Sequence, residues 1–336
     1  MIKMICSSIY RTNFNKYFLY QKNLKKIIFV SQNQVKTNQK KLLHTIMFIY
    51  NTKDWWKLIF YFHKADTFRK LLPAMGGVLV YTFFVSYLEN EVLHFIPLKN
   101  PLAIHSLVGF VLSLLLVFRT NSSYDRWWEG RKIWGSFTNN SRNLALKLNA
   151  ILPEKHESRE IFRVLIGNYI HAVKDHLRNN INHKHLEFVA NYDESYYVNY
   201  KHIPNRIGQA IYMETIRLHE LGIINGEKLL ILNNELSSFS DNLGACERIR
   251  TTPIPSSYNI FIKKMIFLYV FTMPLGFVLE FKYWAAPIVT LVFYAFAGIE
   301  MIAEEIEDPF GTDNNDLQLD SIVKNVKANL IEIFKN

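Results

Sequence analysis

The sequence predicts an all-α integral membrane chain, with four transmembrane helices and a helical region on the cytoplasmic side. Three observations predict it. Four apolar runs, near 71–88, 101–118, 265–280 and 284–302, have close to the ~20 residues that cross ~30 Å of hydrocarbon. Basic residues gather on one side of these runs. The long 119–262 segment between them is charged, carries amphipathic helical spacing, and shows no strand alternation or internal repeat.

Taken singly, each run also reads as a buried core helix, and two contain a proline, Pro274 and Pro287. Their flanks agree on one topology. Lys64, Arg69 and Lys70 precede the first run, Arg119, Arg126, Arg131 and Lys132 follow the second, and Lys263 and Lys264 precede the third. The two hairpin tips, 89–100 and 281–283, carry only Lys99 and Lys282. Positive charge stays preferentially in the cytoplasm, which places both termini and 119–262 there, in a multi-pass protein of the cell membrane. Within 119–262, REIFRVLIGNYIHAVKDHLR (159–178) has apolar residues at 161, 162, 165, 166, 169, 170 and 173, the spacing of one helix face. Residues 206–221 and 227–250 read similarly, and 179–204, rich in Asn, His and Tyr, reads as an irregular connection.

Composition narrows the function classes. The chain of 336 residues has a net charge of +10, but nine of its 39 basic residues and none of its 29 acidic ones fall in residues 1–46. The remainder is nearly neutral, which argues against a nucleic-acid partner, since a binder carries its charge as a patch on the folded domain. Residues 1–46 form a basic N-terminal extension with three readings: sequence upstream of a true start at Met47, a targeting presequence, or a surface-binding tail. Residues 47–336 read as a single domain. The two cysteines, Cys6 and Cys246, suggest neither a disulfide framework nor a cysteine metal site.

Three blocks then carry a resemblance. FRTNSSYDRWWEGRKIWG (118–135), CERIRTTPIPSSY (246–258) and EEIEDPFGTDNNDLQLD (304–320) occur in this order, and the similarity covers about 50–330. They resemble the bestrophin family, in particular its bacterial and plant-type branch. The resemblance implies a homopentameric ion channel in the lipid bilayer, not an enzyme, with four membrane segments per subunit and a central pore for chloride or other small anions. It implies no required cofactor.

Phe110, Leu114 and Phe118 recur every four positions, drifting about 40° per step around a helix. Five copies around an axis make stacked apolar rings, which gate by dewetting. The resemblance implies that these residues are the pore neck; the other reading is packing against a neighbouring helix. His105 and Ser113 share this run, and Asn121, Ser122 and Ser123 follow it. Arg119 reads as an attractor of anions at the cytoplasmic mouth, a headgroup anchor or an intersubunit pair, and the Tyr124–Trp134 block as helix buried between subunits with paired charges or as a direct ion site. The family pattern places a lower pore constriction near Glu227, where five carboxylates favour cations; equally, Glu227 reads as a helix N-terminal charge after Asn225-Gly226.

Seven acids fall within 300–316. The resemblance to a calcium-binding region of animal relatives makes Glu305, Asp308, Asp313 and Asp316 candidate calcium ligands, although Asn314 and Asn315 thin the acidic run and the spacing is not that of an EF-hand. The alternative is a structural turn at Asp308-Pro309-Phe310-Gly311 held by caps and salt bridges. Other functions stay open: a cation-selective channel of the same fold, a membrane metal enzyme using the 300–316 carboxylates, or a non-conducting scaffold. The enzyme reading lacks histidine partners after His219.

Overall fold

The computed structural model describes residues 66–93, 101–180, 185–198 and 200–335. The extension 1–46, Met47, Lys64 and Lys99 lie outside them. The described residues are helical, with no strand among them beyond an isolated bridge between Val189 and Tyr192.

Helix α1 (Asp66–Tyr87) runs into a π-helical turn at Leu88–Leu93. Helix α2 (Pro101–Ile151) is continuous for 51 residues, about 75 Å at 1.5 Å per residue. It therefore does not end with its apolar run at Arg119: the charged block and the polar residues beyond it carry the same helix onward. Then come α3 (Ser158–Leu177), the short α4 (Glu194–Val198), α5 (Ile203–Glu220) and α6 (Gly226–Thr251), matching the periodic segments to within a residue or three. His202 and Asn225 cap α5 and α6, each side chain accepting a backbone N–H from the residue three positions on.

The last apolar stretch is α7 (Ser256–Thr272), α8 (Pro274–Phe281) and α9 (Ala285–Glu307). Pro274, which has no N–H to give, sits at the junction of α7 and α8. The chain reverses at Lys282, whose φ is +50°. The reversal brings α9 back along α7, so that Lys263 meets Glu304 at 2.9 Å and Asn259 approaches Glu307 at 3.5 Å. Helix α10 (Leu319–Ile333) closes the chain against α3 and α2.

Among the described residues, three helical stretches are long and apolar enough to cross a membrane: Thr67–Val92, Leu102–Ile151 and the doubled-back Ser256–Glu307. Their most apolar windows are only 17%, 22% and 33% buried within the chain, which separates them from water-soluble core helices of the same composition. Lys70 bonds Glu305 and Lys263 bonds Glu304 at one end of this bundle. At the other end Ser86 donates to the Lys282 carbonyl and Tyr283 donates to Glu91. Two cores result. The small one joins Leu112 and Leu116 of α2 to Ile262, Ile266, Met273 and Val289. The large one gathers Trp134, Phe137, Leu144 and Leu148 of the same helix with α3, α5, α6 and α10.

Candidate functional site

The first half of α2 has one packed face and one open face. Leu112 and Leu116 are buried against α7, and Gly109 lets the helices close: a Cβ there would lie 2.7 Å from the Tyr269 hydroxyl. On the open face Phe110, Leu114 and Phe118 are 62%, 44% and 62% exposed, so among the described residues no helix covers the row. Ser113 is exposed and donates to the Gly109 carbonyl one turn back on its own helix, and His105 lies 3.3 Å from the Thr272 hydroxyl.

Arg119, directly below that row, is fully buried rather than a headgroup anchor. Its guanidinium bonds Glu307 at 2.7 Å and Ser123 at 2.7 Å and lies 3.7 Å from Glu300. Burial of such a charge requires pairing, and removing one partner of a buried pair costs about 3–5 kcal/mol. Glu307 also accepts from the Ile254 N–H at 2.7 Å, while the Glu300 carboxylate has no hydrogen-bond partner. One turn of helix and more below, Arg126 donates to the carbonyls of Glu307, Thr252 and Ile249. The two arginines thus tie the middle of α2 to the end of α9 and to the link between α6 and α7. In the aromatic block Trp134 is buried in the chain's own core, whereas Tyr124 and Trp128 stay about half exposed.

The acidic loop packs on this same stretch of α2. Gly130 makes room: a Cβ would come within 3.1 Å of Pro309 and Phe310. Trp127 donates to the Asn315 carbonyl and Arg178 to the carbonyls of Phe310 and Gly311. Asp316 is buried, accepts from the Asp313 N–H at 2.6 Å, and leans over Gly311, where a Cβ would meet its oxygen at 2.7 Å. Burial first, and then the charges of Asp313 and Asp308, push its pKa up to about 7 against the opposing Asp313 N–H bond.

These contacts bear on calcium. Glu305 is occupied by Lys70 at 3.1 Å and Asn315 at 2.7 Å, Asp308 and Asp313 are exposed, and Asp316 faces backbone. Among the described residues, the group of three or more acidic, histidine or cysteine ligands that converges is not this one but His176, His202 and Glu247. Glu305 and Asp316 thus already carry ion-pair and turn contacts of their own.

Glu227 occupies the first turn of α6, exposed, beside the Asn225 cap. Leu230 and Ile231, one turn on, are 71% and 50% exposed. These two were not singled out from the sequence, yet the unbroken apolar run 229–232 covers more of the helix circumference than one buried face needs.

Comparisons with known proteins bear on the family and the fold. Residues 47–332 match the family model described as bacterial/fungal bestrophin protein. A voltage-dependent anion channel-forming protein of Nostoc sp. is 36% identical over 277 residues, covering 79% of this chain and 85% of the relative. The voltage-dependent anion channel-forming protein YneE of Escherichia coli (strain K12) is 30% identical over 289 residues, covering 85% and 94%. The crystal structure of a bacterial bestrophin homologue from Klebsiella pneumoniae superposes with a TM-score of 0.72 at 26% identity, covering 79% of this chain and 99% of that one.

Proposed function

The chain belongs to the bacterial/fungal bestrophin family, and from that premise we propose that it is a membrane channel, not an enzyme, passing chloride or other small anions through a central pore. Its relatives in Nostoc and Escherichia coli are named as anion channel-forming proteins, and they match most of its length. The observation that carries the reading is the open face of α2. Three large apolar side chains stand in one row, largely exposed among the described residues, on a helix whose opposite face is locked against α7. A symmetric ring of subunits gives that row an occupant for each copy and leaves an apolar neck at the axis.

On this reading the protein is a homopentamer and each subunit crosses the membrane four times, the doubled-back stretch Ser256–Glu307 supplying two crossings. The basic end of the bundle, with Arg69, Lys70, Lys263 and Lys264, is cytoplasmic, and so are both termini. Phe110, Leu114 and Phe118 form the neck, and Glu227 lies at a lower constriction of the same pore.

One observation favours a second reading, a cation-selective channel of the same fold. Glu227 is exposed, and a ring of its carboxylates would attract cations. Bi-ionic reversal potentials on the reconstituted protein separate the two. The proposal expects the wild type to follow the chloride gradient, and Glu227→Ala to raise the chloride-to-sodium permeability ratio severalfold. A wild-type potential that follows sodium supports the second reading, and an unchanged ratio in the variant removes Glu227 from the axis.

A further inference from the structure

Away from α2 and its anchors, three side chains from three helices converge. His176 stands in the last turn of α3, His202 caps α5, and Glu247 belongs to the last turns of α6. The Nε2 atoms of His176 and His202 lie 2.8 and 2.9 Å from the same oxygen, Glu247 Oε1. The two rings are 4.4 Å apart between centroids, and the three ligand atoms all fall within 4.8 Å of one another. Each side chain keeps part of its surface exposed, 24%, 35% and 34% respectively.

We propose that His176, His202 and Glu247 bind one borderline transition-metal dication, zinc foremost, and that the ion clasps the ends of α3, α5 and α6. Two imidazole nitrogens and one carboxylate oxygen are a donor set that zinc takes with water completing its shell. Calcium and magnesium, which prefer all-oxygen sites, are disfavoured. Ligands about 2.0–2.1 Å from a tetrahedral ion sit roughly 3.3 Å from each other, so the present contacts open by a few tenths of an ångström on loading. The neighbouring cation, Arg250, is turned aside, its guanidinium bonded to the His176 carbonyl at 2.8 Å and to Asn179. The inference does not depend on the channel reading.

Loading has a local consequence. His202 Nδ1 accepts the Asn205 N–H at 3.2 Å and so carries no proton in this state. A neutral imidazole that gives Nε2 to a metal holds its proton on Nδ1, so the bound ion displaces that cap. This points to a clean variant. Asparagine is among the best capping residues, so His202→Asn keeps the start of α5 while removing the ligand.

The test titrates the purified full chain, stripped of metal in detergent, with zinc chloride by calorimetry, because 11 histidines invite adventitious uptake that only stoichiometry and variants resolve. The wild type should take up one zinc per chain saturably, and Glu247→Gln, His176→Gln and His202→Asn should each weaken binding at least ~10-fold, with the exposed His185→Asn unchanged. X-ray absorption at the zinc edge of the wild type should show two imidazole ligands. Wild-type affinity in all three variants, no saturable uptake, or a shell without two imidazoles would each overturn the proposal and leave Glu247 as a hydrogen-bond acceptor for two histidines.

Discussion

The two halves of α2 have the same backbone and opposite surroundings. From Pro101 to Phe118 the buried side is narrow, Leu112 and Leu116, and the open side is apolar, with Phe110, Leu114 and Phe118. From Tyr124 to Ile151 the buried side is broad, with Trp134, Phe137, Leu144 and Leu148, and the open side carries Asp125, Glu129, Lys132 and Arg142. The lower half follows the rule for a helix against water more closely, with Tyr124, Trp128 and Leu146 as its exposed exceptions. The upper half breaks it throughout, as a face turned to lipid or to another subunit would. Arg119 stands at the change of rule, and there the chain fixes α2 to the end of α9.

Breaking the junction has the largest effect. Arg119→Ala leaves Glu307 without its 2.7 Å partner in a buried position and is expected to lower stability by about 3–5 kcal/mol, read as a drop in thermal midpoint in detergent. A loss below ~1 kcal/mol would mean that α2 is held to α9 chiefly by other contacts, Arg126 to the Glu307 carbonyl among them.

The comparison sharpens when matched phenylalanines are cut from each half. Phe137→Ala removes a fully buried ring and should cost about 3–5 kcal/mol. Phe118→Ala trims a ring that is mostly exposed in the single chain and should cost the dissociated subunit less than ~1 kcal/mol, while altering conductance in the assembled protein. Equal losses in dissociated subunits would show that the row is packed within the chain.

A smaller effect concerns pH at the loop packed on Gly130. Asp316 titrates near 7 when folded, well above an ordinary aspartate, so the folded chain holds a proton that the unfolded chain has released. Stability should therefore fall as pH rises from about 4 to about 7, and the penalty is complete above that range. Asp316→Asn removes this component, and the wild type minus variant difference is expected to be roughly 1–3 kcal/mol across pH 4–8 in denaturant or thermal melts. A wild type that gains stability over this range relative to the variant would reverse the assignment.

What the sequence made legible was periodic. The apolar runs, the amphipathic helices α3, α5 and α6, and the Phe110 row are all patterns within a single helix, and three short blocks sufficed to recognise the family. What it hid was set by distance. Arg119 meets Glu307 across 188 residues of sequence, and nothing near Arg119 distinguishes a buried pair from a headgroup anchor. Helix α2 runs through Gly130 and Gly135 because Gly130 admits the loop at Pro309 and Phe310, a contact invisible from helix propensity. The acidic block suggested calcium by its turn and by the family resemblance, and sequence could not show that Glu305 reaches Lys70 and Asn315 or that Asp316 accepts the Asp313 N–H. Meanwhile His176, His202 and Glu247, with no motif spacing between them, are brought together by helix packing.

The claim that the uncovered row of α2 forms the apolar neck of a pore is tested most directly by planar-bilayer recording of the triple variant Phe110→Ala, Leu114→Ala, Phe118→Ala beside the wild type. The account predicts anion currents in both, with open probability raised in the variant and the reversal potential unchanged. Gating identical to wild type in a correctly assembled variant would contradict it and return those three side chains to packing alone.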